Sequence, residues 1–255
     1  MHHGYYGADG KASKTDRQAQ LDLIEELLRW GGVGKATRTL DAGCGVGGSA
    51  RFLADRFGSQ VLGLTLSPVQ ARRARQYNQA AGFDQQITIE VRDMLSLGAV
   101  DGPFDLIWSL ESAEHIADKA GMMRLFYDRL TPGGRLLMAT WCRRPAPPPL
   151  QPSEERLLER IYEWYHLPPM VSIPELASTA REAGFNSVRT ADWSVAVAPF
   201  WGAVIRSALS WRSLVGLLRA GRSTWRGAWA MQYMQRGFRN QLIQFAVLQA
   251  TKHDG

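Results

Sequence analysis

The sequence predicts an α/β fold, a mostly parallel sheet with helices on both faces, and three observations carry that expectation. Short apolar runs alternate with helical patterns at the spacing of strand–helix–strand units. The first of these runs ends in Asp41 and passes into Gly43, Gly45, Gly47 and Gly48 just before a helix. Glycine this dense permits positive φ and lets the backbone approach a ligand with no Cβ in the way. Near the end of the chain, about forty residues separate the last two strands, too many for a plain loop in a compact domain. They read as a helical cap.

Taken in order, residues 16–30 place Leu23, Ile24, Leu27 and Leu28 on a helical stripe that Gly31-Gly32 ends. Residues 39–42 form a first strand, 49–57 a helix and 60–66 a second strand. A helix at 68–81 leads to a third strand at 87–92. The fourth strand is 104–110, and a helix at 120–130 follows. Thr131-Pro132-Gly133-Gly134 stops that helix ahead of a fifth strand at 135–141. The Pro-rich run 145–152 crosses the surface. Helices resume at 153–165 and 173–183, the latter with Pro174 in its first turn. Residues 188–193 and 242–251 complete a seven-stranded, Rossmann-like sheet. At 255 residues the chain suits one domain. It divides into an N-terminal flap and helix (1–34), a ligand-binding core (35–142) and a C-terminal part (143–255) carrying the cap at 197–240.

Composition excludes several classes. No apolar run has the length of a membrane-spanning helix, and the N-terminus lacks a signal peptide's layout. The cytoplasm or an organellar stroma is the expected compartment. Cys44 and Cys142 lack metal-ligand spacing and read as reduced, buried thiols; no metal is expected. The net charge is +6, and residues 201–240 hold seven arginines and no acidic residue. One local basic, aromatic element is implied, not a nucleic-acid-binding surface. Nothing in the sequence sets the oligomeric state.

The glycine turn lies between a strand and a helix N-terminus, where α/β proteins bind nucleotide-like ligands. No Gly-Lys-Ser/Thr follows, so it is not a phosphate-binding Walker loop. It resembles the acidic-Gly-x-Gly-x-Gly turn of class I S-adenosylmethionine methyltransferases. In that setting Asp41 binds the donor's ammonium or orders the loop as a cap, and Gly43, Gly45 and Gly47 present backbone to the methionine end. Thr65 stands where nucleotide folds place a carboxylate for the ribose, with Gln70 one helical turn beyond. A hydroxyl and an amide can bind a diol without charge, which argues against a dinucleotide. Ser67 also reads as a helix cap ahead of Pro68. The Leu-Thr-Leu-Ser-x-x-Gln run is similar to that of lipid- and terpenoid-directed carbon methyltransferases. Asp93 is the candidate for the adenine amino group and Met94 for its ring face, the alternative being a solvated loop aspartate. Ser109, near the end of the fourth strand, joins this cofactor set.

Beyond that strand the sequence runs Glu111-Ser112-Ala113-Glu114-His115. Two carboxylates and an imidazole at the carboxyl end of a central strand suit acid–base work. Glu114 is expected to orient His115, with Glu111 as the alternative base. The plainer possibility is that both carboxylates cap the next helix. No Asn/Asp-Pro-Pro-Tyr/Phe motif follows, which disfavours methylation of nucleic-acid bases.

The resemblance narrows with His2-His3-Gly4-Tyr5-Tyr6-Gly7, residues 64–71, Trp108-Ser109-Leu110-Glu111-Ser112-x-Glu114-His115 and Thr140-Trp141-Cys142-Arg143-Arg144. Ala191-Asp192-Trp193-Ser194-x-x-Val197-Ala198-Pro199-Phe200-Trp201 and residues 204–209 extend it over nearly the whole chain. These segments resemble the γ-tocopherol methyltransferase family. That likeness implies methylation of an aromatic carbon ortho to the phenol of a chromanol with a prenyl tail. S-adenosylmethionine is the implied donor and S-adenosylhomocysteine the product. It further implies Tyr5 and Tyr6 near the methionine end, and Trp141, Trp193, Phe200 and Trp201 around a hydrophobic acceptor. The basic cap could rest on anionic lipid. Relatives carry an N-terminal helix ahead of the His-His segment, so the chain is either trimmed or lacks that flap. Plant members of the family methylate the nitrogen of indole alkaloids. An N-methyltransferase, an isoprenoid C-methyltransferase and a non-catalytic lipid- or partner-binding protein are therefore the rivals.

Overall fold

The computed structural model describes residues 2–202 and 231–253. Helix α1 (Asp16–Trp30) precedes strand β1 (Arg38–Ala42), and α2 (Gly48–Phe57) leads to β2 (Gln60–Thr65). Then come α3 (Pro68–Ala80), β3 (Ile87–Val91), β4 (Phe104–Leu110), α4 (Lys119–Arg129) and β5 (Leu130–Arg143). The last described elements are α5 (Pro152–Tyr165), α6 (Ile173–Glu182), β6 (Asn186–Asp192), the short α7 (Ser194–Val197) and β7 (Ile243–Thr251). Residues 231–239 are also helical.

The strands form a seven-stranded sheet in the order β3-β2-β1-β4-β5-β7-β6. All pairings are parallel except those of β7, which runs antiparallel to both neighbours. The strand order reverses between β1 and β4, and a crevice opens at the carboxyl ends of strands at such a point. Apolar residues of α1, α2 and α3 cover one face of the sheet, and those of α4 and α6 the other. Alternation along β7 feeds both layers: Phe245 and Val247 enter the first, Ala246, Leu248 and Ala250 the second. A third apolar cluster joins α5 to Trp201, Met234 and Ile243, off the end of the sheet.

Local chemistry fixes the ends of these elements. Thr15 caps α1 by accepting from the Gln18 amide, and Ser67 caps α3 ahead of Pro68. Ser172 and Glu175 form a reciprocal box at the start of α6. Gly31 is required by contact, since a Cβ there would lie 2.3 Å from the Leu137 side chain.

One boundary departs from expectation. The Thr131–Gly134 run does not separate α4 from the fifth strand, because β5 begins at Leu130 directly. Leu130 pairs with Phe104 and Arg135 with Leu106, so the Pro-Gly-Gly turn is taken up as an irregularity inside the strand. The Pro-rich run is exposed as expected, and Arg144 holds it by donating to the carbonyls of Pro145, Pro148 and Pro149. Most of the expected cap lies outside the described residues.

Candidate active site

A cavity of about 510 Å³ opens at the carboxyl ends of β1, β2 and β4. The glycine turn forms its floor. Gly43 has φ +96°, and a Cβ there would sit 2.3 Å from that of Ser112, so only glycine lets β1 and β4 close on each other. Asp41 is buried at the end of β1, and its Oδ2 has no hydrogen-bond partner. Burial pushes its carboxyl up to about 7, opposed only by a hydrogen bond from the Ala50 backbone. A buried, unpartnered carboxylate oxygen on a cavity wall is complementary to a cationic ammonium.

Along the wall, Thr65 donates to Gln70 Oε1 at 2.9 Å, and the Ser67 amide donates back to Thr65. Thr65 and Gln70 thus act as one neutral, polar unit, while Ser67 makes the cap as well. Asp93 accepts from the Leu95 amide at 2.9 Å and lines the cavity with Met94. Of the expected cofactor set, Asp41, Gly43, Gly45, Thr65, Gln70, Asp93 and Met94 line this one cavity. Gly47 sits just behind it, with φ +73° at the start of α2.

Three expected members lie elsewhere. Ser109 is fully buried and bonds to Ser112 Oγ at 2.9 Å. Ser112, which also donates to the Ala42 carbonyl, takes the wall position instead. Ser109 lies within β4, where Ser112 beyond the strand end closes its hydroxyl off from the cavity. Tyr5 packs its ring on Trp193 and Tyr6 donates its hydroxyl to Asp16, and neither lines the cavity. The segment's contribution to the wall is His2, whose carbonyl accepts from Gln20.

The expected Glu114–His115 pair is not formed. Both residues lie on the 3₁₀ turn Ala113–His115, where consecutive side chains diverge by about 120°. Glu114 therefore points inward and accepts from Thr140 Oγ1 at 2.9 Å, while His115 is exposed on the cavity rim. Burial and the nearby Glu111 charge push Glu114 up to about 8, so it is a neutral acid at pH 7. Burial against the rim, with the Lys119 charge, lowers the pKa of His115.

Glu111 finds a different partner, 108 residues away. Its carboxylate accepts from the His3 amide at 2.6 Å and from His3 Nδ1 at 2.8 Å. Burial alone would raise the Glu111 pKa, but its contacts with His3 outweigh that and hold the carboxylate below its usual range. The backbone is strained to make this contact, since Glu111 has φ +51°. The docking of the N-terminal segment depends on Gly4, where a Cβ would lie 2.5 Å from that of Ala19. His3 was not among the residues the sequence singled out; its only sequence signal was its place in a motif with no assigned role.

Around His3 stands a wall of aromatic rings. Phe200 lies 4.1 Å from its ring centroid, Trp201 5.2 Å and Trp141 6.0 Å. Three of the four expected acceptor residues thus converge on one side chain. Trp193 does not join them; it packs on Tyr5 and Trp30 beside α1.

A family model described as "Methyltransferase domain" matches residues 39–134, which supply most of the cavity lining. "Probable tocopherol O-methyltransferase, chloroplastic" of Oryza sativa subsp. japonica is 42% identical over 261 residues, 99% of this chain and 72% of that protein. "Tocopherol O-methyltransferase, chloroplastic" of Arabidopsis thaliana is 39% identical over 264 residues, covering 99% and 76%. Norajmaline N-methyltransferase of Rauvolfia serpentina is 27% identical over 262 residues, covering 99% and 90%. Among solved structures, a cyclopropane synthase from Mycobacterium tuberculosis superposes with a TM-score of 0.87 at 19% identity. It covers 99% of this chain and 90% of that one, and it supports the fold alone.

Proposed function

Because the chain belongs to the tocopherol methyltransferase family, and is with it an S-adenosylmethionine-dependent enzyme, we propose that it methylates an aromatic carbon of a hydrophobic, tocopherol-like phenol. The observation that carries this proposal is the junction at Glu111, which lines the donor cavity and also holds His3 within the aromatic cluster.

In the donor half, Asp41 takes the ammonium, Thr65 with Gln70 the ribose diol, and Asp93 with Met94 the adenine. The unpartnered Oδ2 of Asp41 is the observation that fits the donor to this cavity. S-adenosylmethionine supplies an electrophilic methyl: the acceptor's ring carbon bonds to it as the carbon–sulfur bond breaks and its electron pair passes to sulfur. The chain's own task is to align the acceptor and to manage its proton. A phenol ring becomes a strong carbon nucleophile when its hydroxyl is deprotonated. Trp141, Phe200 and Trp201 supply apolar surface for such a ring and exclude water from it.

Nitrogen methylation is the second reading, favoured by the norajmaline enzyme's likeness over nearly the whole chain. The arginine-rich segment at 201–240 makes peripheral contact with anionic lipid, where a prenylated acceptor resides. Among the described residues, no helix is long and apolar enough to cross a membrane. An organellar stroma is the proposed compartment, in keeping with the chloroplastic relatives.

The test is purified protein with radiolabelled S-adenosylmethionine against γ- and δ-tocopherol, a prenylated quinol and an indole alkaloid. Turnover of the phenols is expected. Turnover of the alkaloid alone would replace the proposal with the second reading, and donor binding with no turnover would favour a non-catalytic protein.

A further inference from the structure

We propose that His3 is the catalytic base: its Nε2 takes the proton of the acceptor's phenolic hydroxyl, and Glu111 is the residue that positions it. This inference rests on the phenol reading above and goes beyond it by assigning the proton transfer to the N-terminal segment.

The imidazole is 1% exposed and fixed at one edge. Nδ1 faces a carboxylate at 2.8 Å, so in a neutral imidazole the proton sits on Nδ1 and the lone pair on Nε2. The same carboxylate also accepts from the His3 amide, so ring and backbone are clamped together. Among the described residues Nε2 has no hydrogen-bond partner. A buried polar ring nitrogen left unpaired is costly and rare, and a ligand can supply the missing partner.

Two other orphaned polar atoms belong to the same ring cluster: the indole N–H groups of Trp141 and Trp201. One buried acceptor and two buried donors complement a phenol oxygen. The hydroxyl donates to Nε2, and an indole N–H supports the charge that develops on oxygen.

The competing bases fail on geometry. Both oxygens of Glu111 are occupied by His3. Glu114 is turned into the interior against Thr140, and His115 stands exposed on the rim.

The proton balance closes. The hydroxyl proton moves to Nε2 as the ring carbon bonds to the methyl. The ring's own C–H proton then leaves to solvent, and Nε2 returns its proton to the oxygen. One proton is released per turnover.

The variant His3→Asn keeps a donor close to the Nδ1 position and removes the base. Expected is a loss of kcat on γ-tocopherol of about 100-fold or more, with the donor's Kd and the acceptor's KM within about threefold of wild type. A kcat within threefold of wild type overturns the proposal. Glu111→Gln tests positioning, because the amide frees the imidazole to exchange tautomers; kcat falls while donor affinity holds. A readout independent of turnover is the ¹⁵N NMR spectrum of histidine-labelled protein with S-adenosylhomocysteine, the His3 signals assigned by difference from His3→Asn. The proposal requires a protonated Nδ1 and a bare Nε2, with the Nε2 signal moving upfield when γ-tocopherol is added. A protonated Nε2, or no shift, overturns it. Absence of wild-type phenol turnover would instead remove the function proposed above, with the NMR result still deciding the state of His3.

Discussion

The two halves of the site are built in different ways. The donor half comes from residues at consecutive strand ends, each a few positions from a glycine, a cap or a turn that fixes it. The acceptor half joins His3, Glu111, Trp141, Phe200 and Trp201, brought together across most of the chain by packing. A donor common to many enzymes can be read by a fixed strand-end geometry. An acceptor particular to one family is read by long-range contacts, which can change without disturbing the sheet.

Substitutions that touch one half alone break or sharpen this division. On the donor side the largest effect is expected from Asp41→Asn, which removes the charge facing the ammonium. The donor's Kd should rise by about 10- to 100-fold by calorimetry, with kcat at saturating donor reduced far less. The pH dependence follows the same group. Below about 7 the free protein holds a proton on Asp41 that the ammonium must displace. Donor affinity should therefore climb about tenfold per pH unit up to that point and level off above it, whereas Asp41→Asn should be flat.

Next is the acceptor wall. Phe200→Ala should raise KM for γ-tocopherol by roughly tenfold and leave the donor's Kd unchanged, since the lost surface is only on the acceptor side. An equal loss of donor affinity would show that the halves are not separable.

Glu114→Gln probes the buried acid between them. Because folding raises its pKa to about 8, the native state binds more protons than the unfolded chain from the ordinary carboxylate range up to that pH. Wild-type stability should fall across that window. The variant should lack this loss and exceed wild type at pH 9 by a few kcal/mol on chemical denaturation. The smallest effect belongs to Trp193→Phe: its ring sits beside Tyr5 and Trp30, so both affinities should stay within about twofold.

Legibility followed the same line. The convergence of Asp41, Gly43, Gly45, Thr65 and Gln70 on one cavity was readable because strand-end spacing and local capping set their positions. Glu111 was legible as chemistry but not in its partner, because a pairing over 108 residues leaves no periodic trace. The pairing of Glu114 with His115 failed because adjacency in sequence is divergence on a 3₁₀ turn. Ser109 lies inside β4, and Ser112 beyond the strand end reaches the cavity in its place. Tyr5 and Tyr6 were placed by motif alone, and their side chains meet Trp193 and Asp16 instead of the cavity.

The central claim is that the acceptor half presents a phenol's ring carbon to the donor half. The most direct measurement is the NMR spectrum of the product formed from γ-tocopherol with ¹³C-methyl-labelled S-adenosylmethionine. The expected result is a labelled aryl methyl on the ring carbon beside the hydroxyl. A labelled methoxy signal, or label found only on an amine acceptor, would contradict it.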